Sequence, residues 1–336
     1  MSIALIQDRT LMILSEFLGP NDTVSLVDFP NHENAGDSLI YLGELAYLKK
    51  LGVSIRYVAD ASRYRAQDLR LLAPAGPVLI HGGGNLGDRW TEFQDFRERV
   101  IQDFPDRRVI QLPQTIDFTE GARLERAQRI FGAHPDLTVL IRDLVGVNRT
   151  RSLFPSTNVR FCPDMAFGVG EQKRPNAERV DAVVLRRKDS EADHGKGVFE
   201  LAMPWSRIDR DWRLTGWRRV WARLLRAPGA LNKRVPQLAT LLQPLQQRCY
   251  KALAFNNVRY ALSLLSQGRL VITDRLHATV MAGLLGIPVV ALANANGKVE
   301  AIVRDYLGSL DDVYFARSPE EGAAIAHQKL KDMTTL

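Results

Sequence analysis

The stretch "VITDRLHATVMAGLLGIPVVALANANGK" (271–298) opens as one apolar strand and closes as another. Between them "HATVMAGLLG" (277–286) has helical length, and Gly286 and Pro288 punctuate the return. Strand, helix and strand in so few residues form the unit from which parallel sheets are built. Asp274, Arg275 and His277 sit where the first strand leaves the core and the helix begins.

The same rhythm extends in both directions. Strands are expected at 23–29, 53–60, 76–84, 107–115, 137–143, 158–167, 179–189 and 312–316. Helices are expected at 35–52, 65–72, 93–105, 124–134, 144–154, 298–307 and 318–332, with a long mostly helical stretch over 210–266. This alternation predicts an α/β protein of two doubly wound, Rossmann-like domains facing a cleft. Gly168, Gly170 and Pro175 place the boundary near 165–178. The first domain is then 1–168. The second is 175–336, with a basic, tryptophan-rich helical insert around 205–250 and a last helix that either stays with it or packs back on the first.

The bulk composition fits an ordinary globular chain: 336 residues, 46% hydrophobic and 25% charged. Gln7, Asp8 and Arg9 interrupt the first apolar run, which argues against a secretory leader. The longest apolar run, within 278–293, is broken by glycines and a proline, so a cytoplasmic protein without a membrane span is expected. Cys162 and Cys249 offer neither a disulfide framework nor zinc-ligand spacing.

The net charge is +7, and residues 205–234 carry nine basic side chains against two acidic ones, which accounts for the whole excess. Four of the five tryptophans, Trp205, Trp212, Trp217 and Trp221, lie in the same segment. On a helix, Leu214, Trp217, Val220, Trp221, Leu224 and Leu225 share one face and Arg218, Arg219, Arg223 and Arg226 the other. Two readings stand: an interfacial helix on anionic lipid, or a helix packing its tryptophans internally. No nucleic-acid reader motif accompanies the charge.

Ligands of open α/β sheets bind beyond the carboxyl ends of the strands. Four segments fall there. In "NHENAGDSLI" (31–40), Asp37 is either a helix cap or a site residue beside Asn34. "HGGGNLGD" (81–88) offers the amides of Gly82, Gly83 and Gly84 to an anion, flanked by His81 and Asn85, but it is neither a dinucleotide fingerprint nor a P-loop. "IRD" (141–143) and "LRRKD" (185–189) place Arg142, Arg186 and Arg187 at strand ends, either as surface charges or as site residues.

The fourth is the opening stretch. Arg275 can grip a carboxylate or phosphate with its planar fork. His277 would sit at the positive end of a helix and beside a cation, both of which lower its pKa. A bound dianion reverses that, since opposite charges about 4 Å apart gain about 4 kcal/mol at an effective dielectric of 20.

Taken together, "NAGDSLI", "LIHGGGNLGD", "QLPQT", "LIRD", "CPDMAF", "LRRKD", "TDRLHA", "LLGIPVV" and "NGKV" resemble the polysaccharide pyruvyl transferase family, in the family's order over about 30 to 305. The resemblance implies a fold similar to GT-B glycosyltransferases and transfer of pyruvate from phosphoenolpyruvate (PEP) to two sugar hydroxyls, giving a cyclic ketal and phosphate. It implies no metal or organic cofactor. The acceptor is a saccharide, in such proteins often lipid-linked in an exopolysaccharide repeat, which suits a protein peripheral to the inner membrane face.

Arg275 and His277 map onto the pair that handles PEP, with Arg142 as a second arginine. His277 as imidazolium would protonate the methylene carbon. His81, Gly82, Gly83, Gly84, Asn85 and Arg186 would assist the donor. Asn34, Asp37, Asp88, Asp274 and Lys298 would serve the acceptor or a secondary role, with Asp211-Trp212 also near the acceptor. Thr279 and "ANANGK" (293–298) depart from the pattern of exopolysaccharide relatives and bear on acceptor choice. Two rivals stand beside this reading: a GT-B-like glycosyltransferase whose glycine loop and arginines hold a nucleotide-sugar diphosphate, and a non-catalytic scaffold at the membrane.

Overall fold

The computed structural model describes residues 2–186, 205–294 and 297–335. The chain begins with α1 (Ile3–Ser15) and enters β1 (Thr23–Val27), α2 (Ala35–Lys50), β2 (Ser54–Ala59), α3 (Ala66–Leu72) and β3 (Val78–Ile80). It continues through β4 (Gly83–Gly87), α4 (Thr91–Asp103), β5 (Val109–Asp117), α5 (Ala122–Ala133), β6 (Leu137–Ile141), α6 (Leu144–Leu153) and β7 (Asn158–Phe161). These strands form one parallel sheet in the order β2-β1-β3-β5-β6-β7, with β4 beside β5.

A 3₁₀ turn, Met165–Val169, leads out of this sheet. β8 (Val180–Leu185) and β9 (Arg207–Asp209) follow, then α7 (Gly216–Leu225), α8 (Ala227–Arg234) and α9 (Ala239–Leu265). β10 (Gly268–Thr273), α10 (Leu276–Leu284), β11 (Val289–Leu292), α11 (Lys298–Asp305), β12 (Val313–Ala316) and α12 (Pro319–Thr335) complete the chain. The second sheet is also parallel, in the order β12-β11-β10-β8-β9. Mixed α/β architecture with parallel, Rossmann-like sheets is thus what the alternation predicted.

In each sheet the strand order reverses once, between β1 and β3 in the first and between β8 and β10 in the second. Such reversals open a crevice at the strands' carboxyl ends, because the flanking connections leave to opposite faces. The two crevices fix where a ligand can lie.

The sheets share one apolar core. It runs from Val24 and Leu26 in β1, through Met165 and Phe167, to Val271 and Val289 in the second sheet. The 3₁₀ turn packs so tightly on α2 that side chains at Gly43 and Gly168 would overlap backbone.

Three features were not legible beforehand. Residues 3–15 form a helix whose Ile3, Ile6, Thr10 and Leu14 are buried at helical spacing, with Ser2 capping Leu5 N–H at 3.3 Å. Two of the three glycines, Gly83 and Gly84, belong to a strand rather than a plain loop, since β4 pairs with β5 through Gly83, Leu86 and Gly87. And α12 packs on the second sheet through Ala326 and Leu330. The helix that reaches back to the first sheet is α9. Its Gln243 donates to Val58 O at 2.9 Å, its Tyr250 to Asp60 at 2.7 Å and its Asn257 to Ser38 at 2.9 Å.

Candidate functional site

A cavity of about 290 Å³ opens where the two crevices meet. Its walls include Asp28, His32, Asn34, Asp37, Gly82, Gly84, Asn85, Trp90, Phe93 and Arg142 from the first sheet's side, and Trp212, Arg275, His277, Asn294 and Lys298 from the second. Three helices start at this cavity: α2 behind Asn34, α10 behind Arg275 and α11 at Lys298. Each helix start carries roughly half a positive charge, so the cavity is disposed to hold anions.

Arg142 follows β6 and is only 2% exposed. Its Nε donates to Thr115 Oγ1 at 2.7 Å and its Nη1 to Asp164 at 2.6 Å. "IRD" is therefore no surface ion pair, and the neighbouring Asp143 caps α6 through Gly146 N–H at 2.6 Å. Arg275, nearly buried, pairs with Asp211 at 3.2 Å and lies over the Trp212 ring at 5.2 Å. Asp211-Trp212 thus stands against Arg275 from β9's loop.

His277 is tied to the same arginine centre from the other sheet. Its Nε2 lies 3.4 Å from Asp164 Oδ2 and 3.5 Å from Arg142 Nη1. Only cations were expected around this imidazole; the fold adds an anion. Burial alone pushes the Asp164 carboxyl upward, but Arg142 and His277 outweigh it and hold the group well below the usual carboxylate range. The ring also covers the start of α2, where a Cβ on residue 36 would lie 2.5 Å from His277 Nδ1. Gly36 is what lets the two halves approach.

The glycine strand is held from beneath. Glu44 of α2 is fully buried and accepts from Gly82 N–H at 2.8 Å, with His81 Nδ1 at 2.8 Å from its other oxygen. Burial lowers the His81 pKa, but Glu44 more than restores it and the net shift is upward. His81 and Gly83 are behind the cavity wall rather than in it, while Gly82, Gly84 and Asn85 face it. Gln114 Nε2 and Arg97 both donate to Asn85 Oδ1, at 3.0 and 2.8 Å. Lys298 reaches across from the second sheet to donate to Gly84 O at 3.0 Å.

Asn34 rather than Asp37 caps α2, accepting from Gly36 N–H at 2.9 Å while its Nδ2 donates to Asp37 at 2.7 Å. Besides His81 and Gly83, three further expected residues lie outside the cavity. Arg186 pairs with Asp209 at 3.4 Å, and its carbonyl, not its side chain, meets Arg275. Asp88 accepts from Thr119 N–H at 2.9 Å and fastens the end of β4. Asp274 is not among the lining residues. Arg187 and residues 295–296 of "ANANGK" lie outside the described residues.

Sequence reasoning missed Asp164, Glu44 and Asp28, and it placed Asp211 near the acceptor rather than against Arg275. Asp164 had a signal, its place after a strand in "CPDMAF", but nothing in the sequence links it to Arg142 or His277. Among the described residues, no group of three or more His, Cys, Asp or Glu side chains converges as metal ligands would.

In α7 the expected single apolar face divides. Ala222 and Leu225 are buried, as are Trp212 and Leu214 just before the helix, whereas Trp217, Val220, Trp221 and Leu224 form an exposed stripe, with Trp217 69% exposed. No helix among the described residues is long and apolar enough to cross a membrane.

The chain resembles known proteins along most of its length. It is 30% identical over 293 residues to Pyruvyl transferase 1 of Schizosaccharomyces pombe, covering 82% of this chain and 67% of the relative. It is 26% identical over 290 residues to the Bacillus subtilis protein EpsO, also named for pyruvyl transfer, covering 85% of each. A crystal structure of a functionally uncharacterised protein from Klebsiella pneumoniae has the same fold, with a TM-score of 0.59 at 21% identity, covering 95% of this chain and 100% of that one. The profile of one family, described as polysaccharide pyruvyl transferase, matches residues 34–296. By that match and by its relatives, the chain belongs to the polysaccharide pyruvyl transferase family and is a transferase enzyme.

Proposed function

We propose that the protein transfers pyruvate from PEP to two hydroxyls of one sugar in a polysaccharide repeat, forming a ketal and releasing phosphate. The observation that carries this is the convergence, in one cavity, of Arg142, Arg275, Lys298, His277 and three helix starts. PEP brings a carboxylate and a phosphate on three carbons, and at neutral pH it is close to a trianion. Arg142 and Arg275 are each held by a carboxylate, which fixes their forks beside the cavity. Lys298 adds a third cation at the cavity wall.

His277, oriented by Asp164, protonates the methylene carbon of PEP. Carbon 2 then accepts the first hydroxyl oxygen, phosphate leaves with the electron pair of its bond, and the second hydroxyl oxygen closes the ring. Of the two hydroxyl protons, one replaces what His277 gave to carbon and the other leaves on phosphate. No resident metal or cofactor enters this sequence.

Lining residues drawn from both sheets support a reading of two lobes in the GT-B manner. A nucleotide-sugar donor is the rival. The cavity's volume lies at the lower edge of the range of ligand pockets, about 300–1,000 Å³, which suits a three-carbon phosphate and part of a sugar better. The test is thermal shift with PEP and with UDP-sugars, followed by phosphate release with methyl hexopyranosides. Stabilisation by PEP with release supports the reading, and stabilisation by UDP-sugars alone replaces it. No shift with either favours a scaffold.

A lipid-linked acceptor would bring the enzyme to a membrane, and α7 suits an anionic bilayer. Its exposed Trp217, Val220, Trp221 and Leu224 recur at helical spacing, and Arg213, Arg219 and Arg223 are exposed beside them. Trp and Leu enter the interface while arginines meet anionic headgroups. Trp212, just before α7, lines the cavity, so this surface adjoins the site. Sedimentation with phosphatidylglycerol vesicles at low salt should carry the protein down and phosphatidylcholine vesicles should not. No binding to either would remove the membrane from the account.

A further inference from the structure

The reaction proposed above requires a group that takes up a hydroxyl proton, and the cationic corner around Arg142 and Arg275 cannot serve. We infer that Asp28 is that proton acceptor, and that Trp90 and Phe93 wall the part of the cavity that receives the sugar ring. The inference rests on the pyruvyl-transfer reading and adds the acceptor side to it.

Asp28 follows β1 directly, at the crevice where the first sheet's order reverses. It lines the cavity yet is only 3% exposed. Its φ is +69°, a left-handed conformation uncommon outside glycine, which persists where the surroundings impose it and which clusters at functional sites. Oδ2 is shielded from solvent and accepts no hydrogen bond from the described residues. A buried carboxyl oxygen without a partner is costly, and in a cavity wall it is a position that a ligand's O–H can complete.

The neighbouring carboxylates are already engaged. Asp164 holds Arg142, Asp211 holds Arg275 and Asp37 holds Asn34. An anionic donor is repelled by another anion, so Asp28 does not suit PEP. A sugar hydroxyl is a hydrogen-bond donor and suits it well. Trp90 and Phe93 give the cavity the apolar wall that a sugar ring's C–H faces require.

The groups that act on Asp28 come from several elements: Arg97 on α4, His81 after β3, Asp37 on α2 and Asp60 after β2. Burial raises the carboxyl to about 7, with Arg97 and His81 drawing it partly back. A base of that strength exchanges protons readily at neutral pH. In the step itself, the first hydroxyl oxygen bonds to carbon 2 as its proton passes to an Asp28 oxygen. Carbon 2 loses the bond to phosphate, which departs with the electron pair. The proton on Asp28 is then handed to the departing phosphate, and the second hydroxyl's proton restores His277.

Asp28→Asn and Asp28→Glu test this beside the native enzyme, with PEP thermal shift, phosphate release to methyl hexopyranosides or to water, and a pH profile. The native enzyme is expected to show an ascending limb near pH 7, and Asp28→Asn to keep the PEP shift, lose that limb and lose about 10²-fold or more in turnover. Asp28→Glu should restore part of the turnover and the limb. Turnover within about threefold of native with an unchanged profile overturns the inference, and so does loss of the PEP shift in Asp28→Asn. Absence of that shift in the native enzyme instead removes the donor reading, and Asp28's role falls with it.

Discussion

Among the described residues arginine meets tryptophan twice, in opposite settings. In the cavity Arg275 lies over Trp212 at 5.2 Å, both nearly buried, with Asp211 balancing the charge. On α7 Arg218 lies over Trp217 at 5.0 Å, and that tryptophan faces solvent. A cation–π contact gains about 2 kcal/mol or more when desolvated and about 0.5–1 kcal/mol when exposed. The first pair is a fixed part of a site. The second leaves its apolar surface exposed. Composition cannot tell the two tryptophans apart, because both occur in the same basic segment; burial does.

The sharpest way to break this comparison is to damage the buried side. His277→Ala should reduce transfer by about 10²–10⁴-fold while PEP still raises the melting temperature. Gly36→Val should approach that loss without touching the imidazole itself, because its Cβ would occupy the ring's place. Normal turnover in both variants would separate His277 from the chemistry.

Next in size is the Arg142–Asp164 pair. Removing one partner of a buried pair costs about 3–5 kcal/mol, since it leaves a charge uncompensated, so Asp164→Asn should unfold at markedly lower denaturant concentration. The sign with pH follows from linkage. Asp164 is depressed in the folded state, so its contribution is present above the unfolded carboxylate range and is lost as pH falls below it. Asp28 is raised, so its burial lowers stability as pH climbs from about 4 to 7. Chemical denaturation of Asp164→Asn should therefore show a flatter acid limb than native protein, and Asp28→Asn a flatter decline towards neutrality. Parallel curves would contradict both assignments.

Smallest is the exposed side. Arg219→Glu with Arg223→Glu should abolish sedimentation with anionic vesicles, yet change folding stability by no more than about 0.5 kcal/mol. A large loss of stability would mean that α7 holds the fold as the cavity's arginines do.

Much of the architecture was readable because it is written locally. Apolar runs of strand length alternating with helical spacing gave the parallel sheets, and glycine, arginine and histidine at strand ends marked where they converge. What escaped depends on distance in sequence. Asp164 and His277 are 113 positions apart, and only the meeting of β7 with α10 makes them neighbours. Glu44 reads as one more charge on an amphipathic helix until His81 and Gly82 are brought over it. Asp28 reads as the end of "SLVDF", and its left-handed backbone has no sequence mark. Residues 81–88 were legible as a glycine-rich turn, but β-pairing without side chains has no periodicity to detect. Arg186 and Asp88 looked equivalent to Arg142 and Asp37 because strand-end position alone does not say which way a side chain turns.

The central claim is that one anionic three-carbon donor is gripped from both sheets at once. A crystal structure of the protein with PEP tests it directly. The account predicts phosphate or carboxylate oxygens within hydrogen-bond distance of both Arg142 and Arg275, with the methylene carbon facing His277. PEP bound elsewhere, or held by one sheet alone with His277 turned away, would contradict it.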